Sequence, residues 1–140
     1  MPSLPLSYEN LASATTKHPS TKPIFMLNLW RFRPTALYAP EHAHLSPSPC
    51  TGEEAMTRYR LAMRSILPPN TVLHFTSVPV TSVAAPEGET WDFVAIVKYE
   101  NLGAFREMVE CKEYREEVEP HRVAALEDYR LVMLDEVQVE

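Results

Sequence analysis

Glycine is scarce in this chain, three residues of 140, and prolines outnumber it at thirteen. So little glycine leaves no phosphate cradle: neither G-x-G-x-x-G nor the P-loop pattern occurs, which excludes nucleotide binding by those devices. Cysteine is nearly missing too. Cys50 and Cys111 have no C-x-x-C spacing and cannot make a disulfide framework, so both read as free thiols in a reducing compartment. No apolar run approaches the ~20 residues of a membrane span. Met1-Pro2-Ser3-Leu4-Pro5 has no basic segment followed by an apolar one, so no secretory signal is expected. Positive charge is in deficit: 13 Lys and Arg against 19 Asp and Glu give a net charge of −6. A surface of that sign does not track phosphates, so nucleic acid is not an expected partner. What remains is a cytoplasmic single domain in which 45% hydrophobic residues supply one modest core.

Periodicity then places the elements. Ser7 reads as an N-cap with Leu6 and Leu11 as a hydrophobic staple, opening a short helix from Tyr8 to about Lys17 that Pro19 and Pro23 stop. Ile24 to Arg33 is nearly all apolar, a strand with Met26, Asn28, Trp30 and Phe32 on one face and Phe25, Leu27, Leu29, Arg31 and Arg33 on the other. Pro34 to Cys50 has no period and reads as a long loop. Thr51-Gly52-Glu53-Glu54 is a capping box, and its helix runs to about Leu67, before Pro68-Pro69. Thr71 to Val80 and Trp91 to Tyr99 read as an antiparallel pair of strands joined through Pro86-Glu87-Gly88. In the first of these Val72, His74, Thr76 and Val78 face one way, and Leu73, Phe75 and Ser77 the other. Asn101 caps a second long helix that breaks near Cys111 and restarts through Tyr114 to Glu119. Pro120 begins a last helical turn carrying His121, and Asp128 to Val137 is the fourth strand. We divide the chain into a tail and short helix, 1–23, and one domain, 24–140.

The order β-α-β-β-α-β is that of ferredoxin-like α+β folds. Right-handed crossovers put both long helices on one face of a four-stranded antiparallel sheet. The other face is apolar as well, so a homodimer is expected to cover it, although the N-terminal helix and the long loop are alternative covers.

Phe25-Met26-Leu27-Asn28-Leu29-Trp30-Arg31-Phe32-Arg33 resembles the opening strand of an uncharacterised family of dimeric α+β barrels. Trp91-Asp92 leading to Val97-Lys98-Tyr99, Phe105-Arg106-Glu107-Met108, Glu113-Tyr114, and His121-Arg122 with Ala124-Ala125-Leu126 continue the likeness, which spans roughly Ile24 to Val137. The family's function is unknown, so the resemblance implies a fold and a pocket position but no reaction. Dimeric α+β barrels at large include cofactor-free monooxygenases, lactone isomerases, polyketide cyclases and haem-dependent enzymes. In cyclase-like members a histidine near the start of the final short helix faces the pocket, and His121 is similar in position by analogy.

That frames the candidate residues. His121 is the first, because an imidazole moves protons near neutral pH and a helix start favours its neutral form; an exposed or capping histidine is the plainer reading. Tyr59 and Tyr114 are phenols that could orient a substrate, or simply pack in the core. Asn28, polar in an apolar strand, either binds a ligand oxygen or ties backbone segments together. Arg31, with Arg33, could hold a carboxylate or enolate-like oxygen, or form a surface salt bridge to Asp92, Glu100 or a second protomer. Trp91 would be a flat wall with Asp92 beside it. His74 reads as a core or interface histidine. Glu41-His42-Ala43-His44 lacks the further ligands a metal needs, so no metal is expected. The run Glu113, Arg115, Glu116, Glu117, Glu119 reads as a solvated face. The expected pocket lies between helices and sheet, lined by Met26, Asn28, Tyr59, Met63, Phe105 and Met108, with His121 at its mouth. The expected function is a small-molecule-binding homodimer working, if catalytic, as a cofactor-free cyclase, isomerase or lyase on a phenolic or polyketide-like substrate. A cofactor-free monooxygenase and a non-catalytic dimer are the alternatives.

Overall fold

The caps read from the sequence form as local hydrogen bonds. Ser7 Oγ accepts from Asn10 N at 3.1 Å, Asn101 Oδ1 from Ala104 N at 2.8 Å, and Thr51 and Glu54 make the reciprocal capping box at 3.0 and 3.1 Å. The computed structural model describes residues 4–139; of the tail expected at Met1 to Pro5, the first three residues lie outside them, as does Glu140. The elements are α1 (Tyr8–Thr15), β1 (Ile24–Phe32), a 3-10 turn (Pro40–Leu45), α2 (Gly52–Met63), β2 (Val72–Ser77), β3 (Phe93–Tyr99), α3 (Leu102–Glu110), a π-helical segment (Tyr114–Val118), α4 (Glu119–Ala125) and β4 (Leu126–Leu134). The strands form one antiparallel sheet in the order β2-β3-β1-β4. With α2 between β1 and β2, and α3 and α4 between β3 and β4, the fold is ferredoxin-like α+β.

The even-numbered residues of β1 meet the helices. Met26 joins Phe105, Met108 and Val109 of α3 in one part of the core, and Trp30 joins Ala55, Met56 and Ala125 in the other. The opposite face is Leu27 and Leu29 of β1, Val94 and Ile96 of β3, and Val132 of β4, brought side by side by the pairings Leu27↔Ile96, Leu29↔Val94 and Leu27↔Val132. Among the described residues no helix packs on it, and Leu27, Leu29, Val94 and Ile96 are half-buried there while Val132 is exposed. α1 attaches to α3, with Tyr8 Oη donating to Val109 O at 3.3 Å and Arg106 to Thr15 Oγ1 at 3.1 Å. The loop after β1 is fastened to α4 and to its own end, Leu37 N to Ala124 O and Ala36 N to Cys50 O, both at 2.9 Å, and Ala36 and Tyr38 pack on the Trp30 side of the core. Both alternative covers therefore sit with the helices, and the second face stays open.

Several boundaries differ from the sequence reading. α2 ends at Met63 rather than Leu67, because the approach to Pro68 disfavours α-helix and the last residues close looser turns onto Leu61 and Met63. The loop 34–50 is not wholly irregular: Pro40 starts a 3-10 turn. β2 is shorter than expected, and its simple alternation fails. A register shift between Leu73 and Phe75 makes Phe75 pair with Ile96 while Val72 pairs with Lys98, so Val72 and Phe75 share the open face. The break after α3 falls where expected. Cys111 takes extended backbone, its thiol donates to Met108 O at 3.0 Å, and its sulfur accepts from Tyr114 N at 3.4 Å. At Gly52 the first turn of α2 lies on the backbone: its N–H donates to Arg33 O at 3.0 Å, and an added Cβ would strike Arg33 O and Ala125 O.

Candidate functional site

Between helices and sheet lies a cavity of about 30 Å³, room for a water molecule. All six residues expected from the sequence line it: Met26, Asn28, Tyr59, Met63, Phe105 and Met108. Tyr114 lines it as well, and its hydroxyl meets that of Tyr59 at 3.0 Å, the rings edge to face. Asn28 Nδ2 donates to Met26 O at 3.2 Å, which leaves the rest of its amide toward the cavity. Burial pushes the Tyr59 phenol well above its ordinary pKa, Tyr114 and Tyr129 add to the rise, and Arg122 opposes it. Arg122 itself is 1% exposed, stands 4.6 Å from the Tyr129 ring centroid and donates to Glu119 at 3.1 Å. Burial works against its charge, but Tyr129, Tyr114, Tyr59 and Glu119 outweigh it, and the guanidinium stays cationic. The sequence offered one signal for this arginine, Glu119 three residues before it on a helix; its burial depends on tyrosines from α2 and β4.

Beside this cavity is a half-open groove of about 390 Å³ between α1 and the free edge of the sheet at β4. Leu4, Leu11, Ala14, Leu131 and Met133 give it apolar walls; Ser7, Asn10 and Arg130 are polar groups on it. The sequence reading did not find this groove, because it exists only where α1 docks on α3 and faces β4.

His121 does not open on either space. It is buried, and its Nδ1 lies 2.6 Å from the hydroxyl of Tyr38, their rings edge to face. Burial lowers its pKa, nearby Arg58 lowers it further, and Glu117 partly restores it. Burial raises the pKa of Tyr38, and Arg58 beside it opposes that shift. Arg58 also donates to Ser46 Oγ at 3.0 Å, so two residues of the long loop hold this corner. His121 is thus not brought together with Tyr59 and Tyr114, whose partners are each other. Tyr38 went unread because its loop has no period to point to it.

Arg31 and Trp91 also stand apart from the cavity. Arg31 lies on the open face and pairs with Glu127 at 3.6 Å and Asp128 at 3.7 Å, rather than with Asp92 or Glu100. Trp91 falls before β3 and carries the Arg130 guanidinium 5.5 Å from its ring centroid. Asp92 accepts from Phe32 N at 2.8 Å and serves the backbone. His74, exposed at the irregularity of β2, sets its ring against Phe25. Among the described residues no group of three or more His, Cys, Asp or Glu is placed to hold a metal ion, and no helix is long and apolar enough to cross a membrane.

No protein-family model matches the chain, and no curated protein does. Solved structures do. The crystal structure of methylated RPA0582 protein is similar at a TM-score of 0.80 and 31% identity, covering 96% of this chain and 94% of that one. A second structure of RPA0582, a protein of unknown function from Rhodopseudomonas palustris, gives 0.78 and 29% over 99% and 100%. A dimeric protein of unknown function and ferredoxin-like fold from Bacteroides fragilis NCTC 9343 aligns at 0.46 and 13%, over 81% and 95%. With nearly a third of its residues identical over almost its whole length, the chain belongs to the family of the RPA0582 protein, a family of unknown function.

Proposed function

We propose that this protein is a homodimeric small-molecule binder whose ligand lies in the groove between α1 and β4. The groove itself carries the reading. Its volume of about 390 Å³ falls within the ~300–1,000 Å³ usual for small-molecule sites, which are likewise mostly apolar with a few polar groups. Among the described residues Arg130 is the one ionisable side chain on it besides Tyr129, which suits an uncharged, largely apolar molecule of the phenolic or polyketide-like class. The open sheet face supports the dimer, since Phe75 and Val132 are exposed there and Leu27, Leu29 and Ile96 only half-buried among the described residues. The test uses naphthalene as a bare apolar probe, titrated while backbone amide shifts are followed. Shifts should cluster at Leu11, Ala14 and Met133, and Ala14→Trp, which fills the groove with an indole, should abolish them. Shifts that persist in Ala14→Trp, or that centre elsewhere, overturn the reading.

A second reading, cofactor-free proton transfer, is favoured by the 2.6 Å contact between Tyr38 and His121 with Arg58 beside it. In this reading Tyr38 Oη accepts from Nδ1–H, which leaves Nε2 as the basic nitrogen, and because His121 is buried and opens on neither space a substrate reaches it only when the loop bearing Tyr38 moves aside. A benzisoxazole that opens on base attack reports this directly. Wild type should open it faster than buffer does, and His121→Gln should not; equal rates discard the reading.

A further inference from the structure

The groove and the inner cavity are separated by little. Leu6, Met26, Phe105, Tyr129 and Leu131 line both. Four of these belong to the sheet and α3, whereas Leu6 precedes α1 and is half-buried. α1 has no buried residue of its own. Its ties to the body are the packing of Tyr8, Leu11 and Ala14 against the core, the Tyr8 bond to Val109 O, the Arg115 guanidinium 4.7 Å from the Tyr8 ring centroid, and the bond from Arg106 to Thr15. A segment with no fully buried residue opens at lower cost than the sheet and α3 beneath it.

At the far end of the cavity the phenols of Tyr59 and Tyr114 bring two hydroxyl hydrogens to one mutual bond of 3.0 Å. That bond uses one hydrogen and leaves the other to donate. A buried donor without an acceptor costs free energy, and a ligand oxygen arriving there would remove the cost. Arg122, buried behind the same phenols, favours an oxygen that carries partial negative charge.

The geometry points to one continuous site: when Leu6 moves aside, the groove takes the apolar body of the ligand and the Tyr59–Tyr114 pair donates to a carbonyl or phenolic oxygen at its head. This rests on the groove reading above and adds the ligand's polar end, its direction and the door.

β-Naphthol and naphthalene share a body and differ by one oxygen, so their affinity ratio isolates the head-group contact. Calorimetric titration of wild type should show β-naphthol binding about tenfold tighter, the worth of one hydrogen bond to a buried donor. In Tyr59→Phe/Tyr114→Phe the ratio should fall to about one while naphthalene binds as before, since the groove is untouched. If the double variant folds poorly, 2-methylnaphthalene titrated into wild type keeps the test open: its methyl group has the size of the hydroxyl but accepts no hydrogen bond, so it should bind about as naphthalene does and not as β-naphthol does. Leu6→Ala should raise the association rate of β-naphthol more than that of naphthalene. A ratio of about one in wild type, a ratio unchanged in the double phenylalanine variant, or 2-methylnaphthalene binding as tightly as β-naphthol overturns the inference, while naphthalene binding blocked by Ala14→Trp still upholds the groove. Loss of all naphthalene binding in wild type overturns both.

Discussion

Along β1, Met26 and Trp30 pack beneath helices, whereas Leu27 and Leu29, one residue away on the other face, have no helix above them. The two faces are similarly apolar, and the polar groups of the covered side lie deep, Asn28 and the Tyr59–Tyr114 pair on the cavity and Arg122 against Tyr129. Buried polar groups in an apolar core cost stability unless they are satisfied, so the Tyr59–Tyr114 bond and the Glu119 partner of Arg122 offset part of the cost of burying these groups. The open face is mainly aliphatic, with the ion pairs of Arg31 with Glu127 and Asp128 at one end. The proposed dimer would bury that apolar centre.

The covered face is the easier to break. At Gly52 the helix start and the end of β1 are too close for any side chain, and the atoms in the way are backbone carbonyls that cannot rotate aside. Gly52→Ala should cost about 3 kcal/mol of unfolding free energy, the upper end of overpacking penalties, measured by urea denaturation. A loss within ~0.5 kcal/mol, the range of an ordinary surface change, would mean that α2 is not pinned there.

The open face breaks differently. Leu27→Lys should weaken self-association about a hundredfold, as expected at the centre of an interface, and change the unfolding of the isolated chain by no more than ~0.5 kcal/mol, because the lysine meets water there. Light scattering across a concentration series reads the first effect and urea denaturation the second. A wild-type chain that is monomeric throughout would remove the contrast between the faces as a functional one.

How far these faces could be read in advance depends on the range of the interactions. The caps at Ser7, Thr51 and Asn101 are satisfied within three residues, so their residue types announce them. Alternation on β1 and β4 survives because their pairing is regular from Phe25 to Arg31, its one irregularity falling at the end, between Arg31 and Phe32. On β2 it fails, since the shift between Leu73 and Phe75 is set by pairing with β3 and no glycine marks it. The cavity residues were legible as apolar stripes, but the hydroxyl contact between Tyr59 and Tyr114 spans 55 positions and leaves no local trace. Tyr38 reaches His121 across 83 positions from a loop without periodicity, and the groove needs α1 to settle on α3. Long-range docking of poorly patterned segments is what the sequence conceals.

The Tyr38–His121 corner belongs to neither face, and it separates the effect of loop anchoring from that of the core. Tyr38→Phe keeps the ring against His121 and removes the hydroxyl, at a cost of about 1 kcal/mol, the net worth of one partly buried hydrogen bond. An unchanged denaturation midpoint would show that the loop is held by its backbone bonds to Ala124 and Cys50 alone.

The smallest effect expected is the pH dependence of the same corner, and its sign follows from the direction of the His121 shift. Burial and Arg58 disfavour the imidazolium in the folded chain, so folded His121 titrates below its ordinary value of 6.5. Above that value both states are neutral at this position and stability is complete. As pH falls through 6.5 the unfolded chain takes the proton first, and stability declines until folded His121 takes it too. Denaturation midpoints should therefore drop on mild acidification, and His121→Gln, which cannot titrate, should flatten that part of the profile. A profile as steep in His121→Gln as in wild type would assign the acid sensitivity to carboxylates, such as Asp128 and Asp135, whose pKa values lie low beside Arg130 and Lys22 and which lose their contributions only at more acid pH.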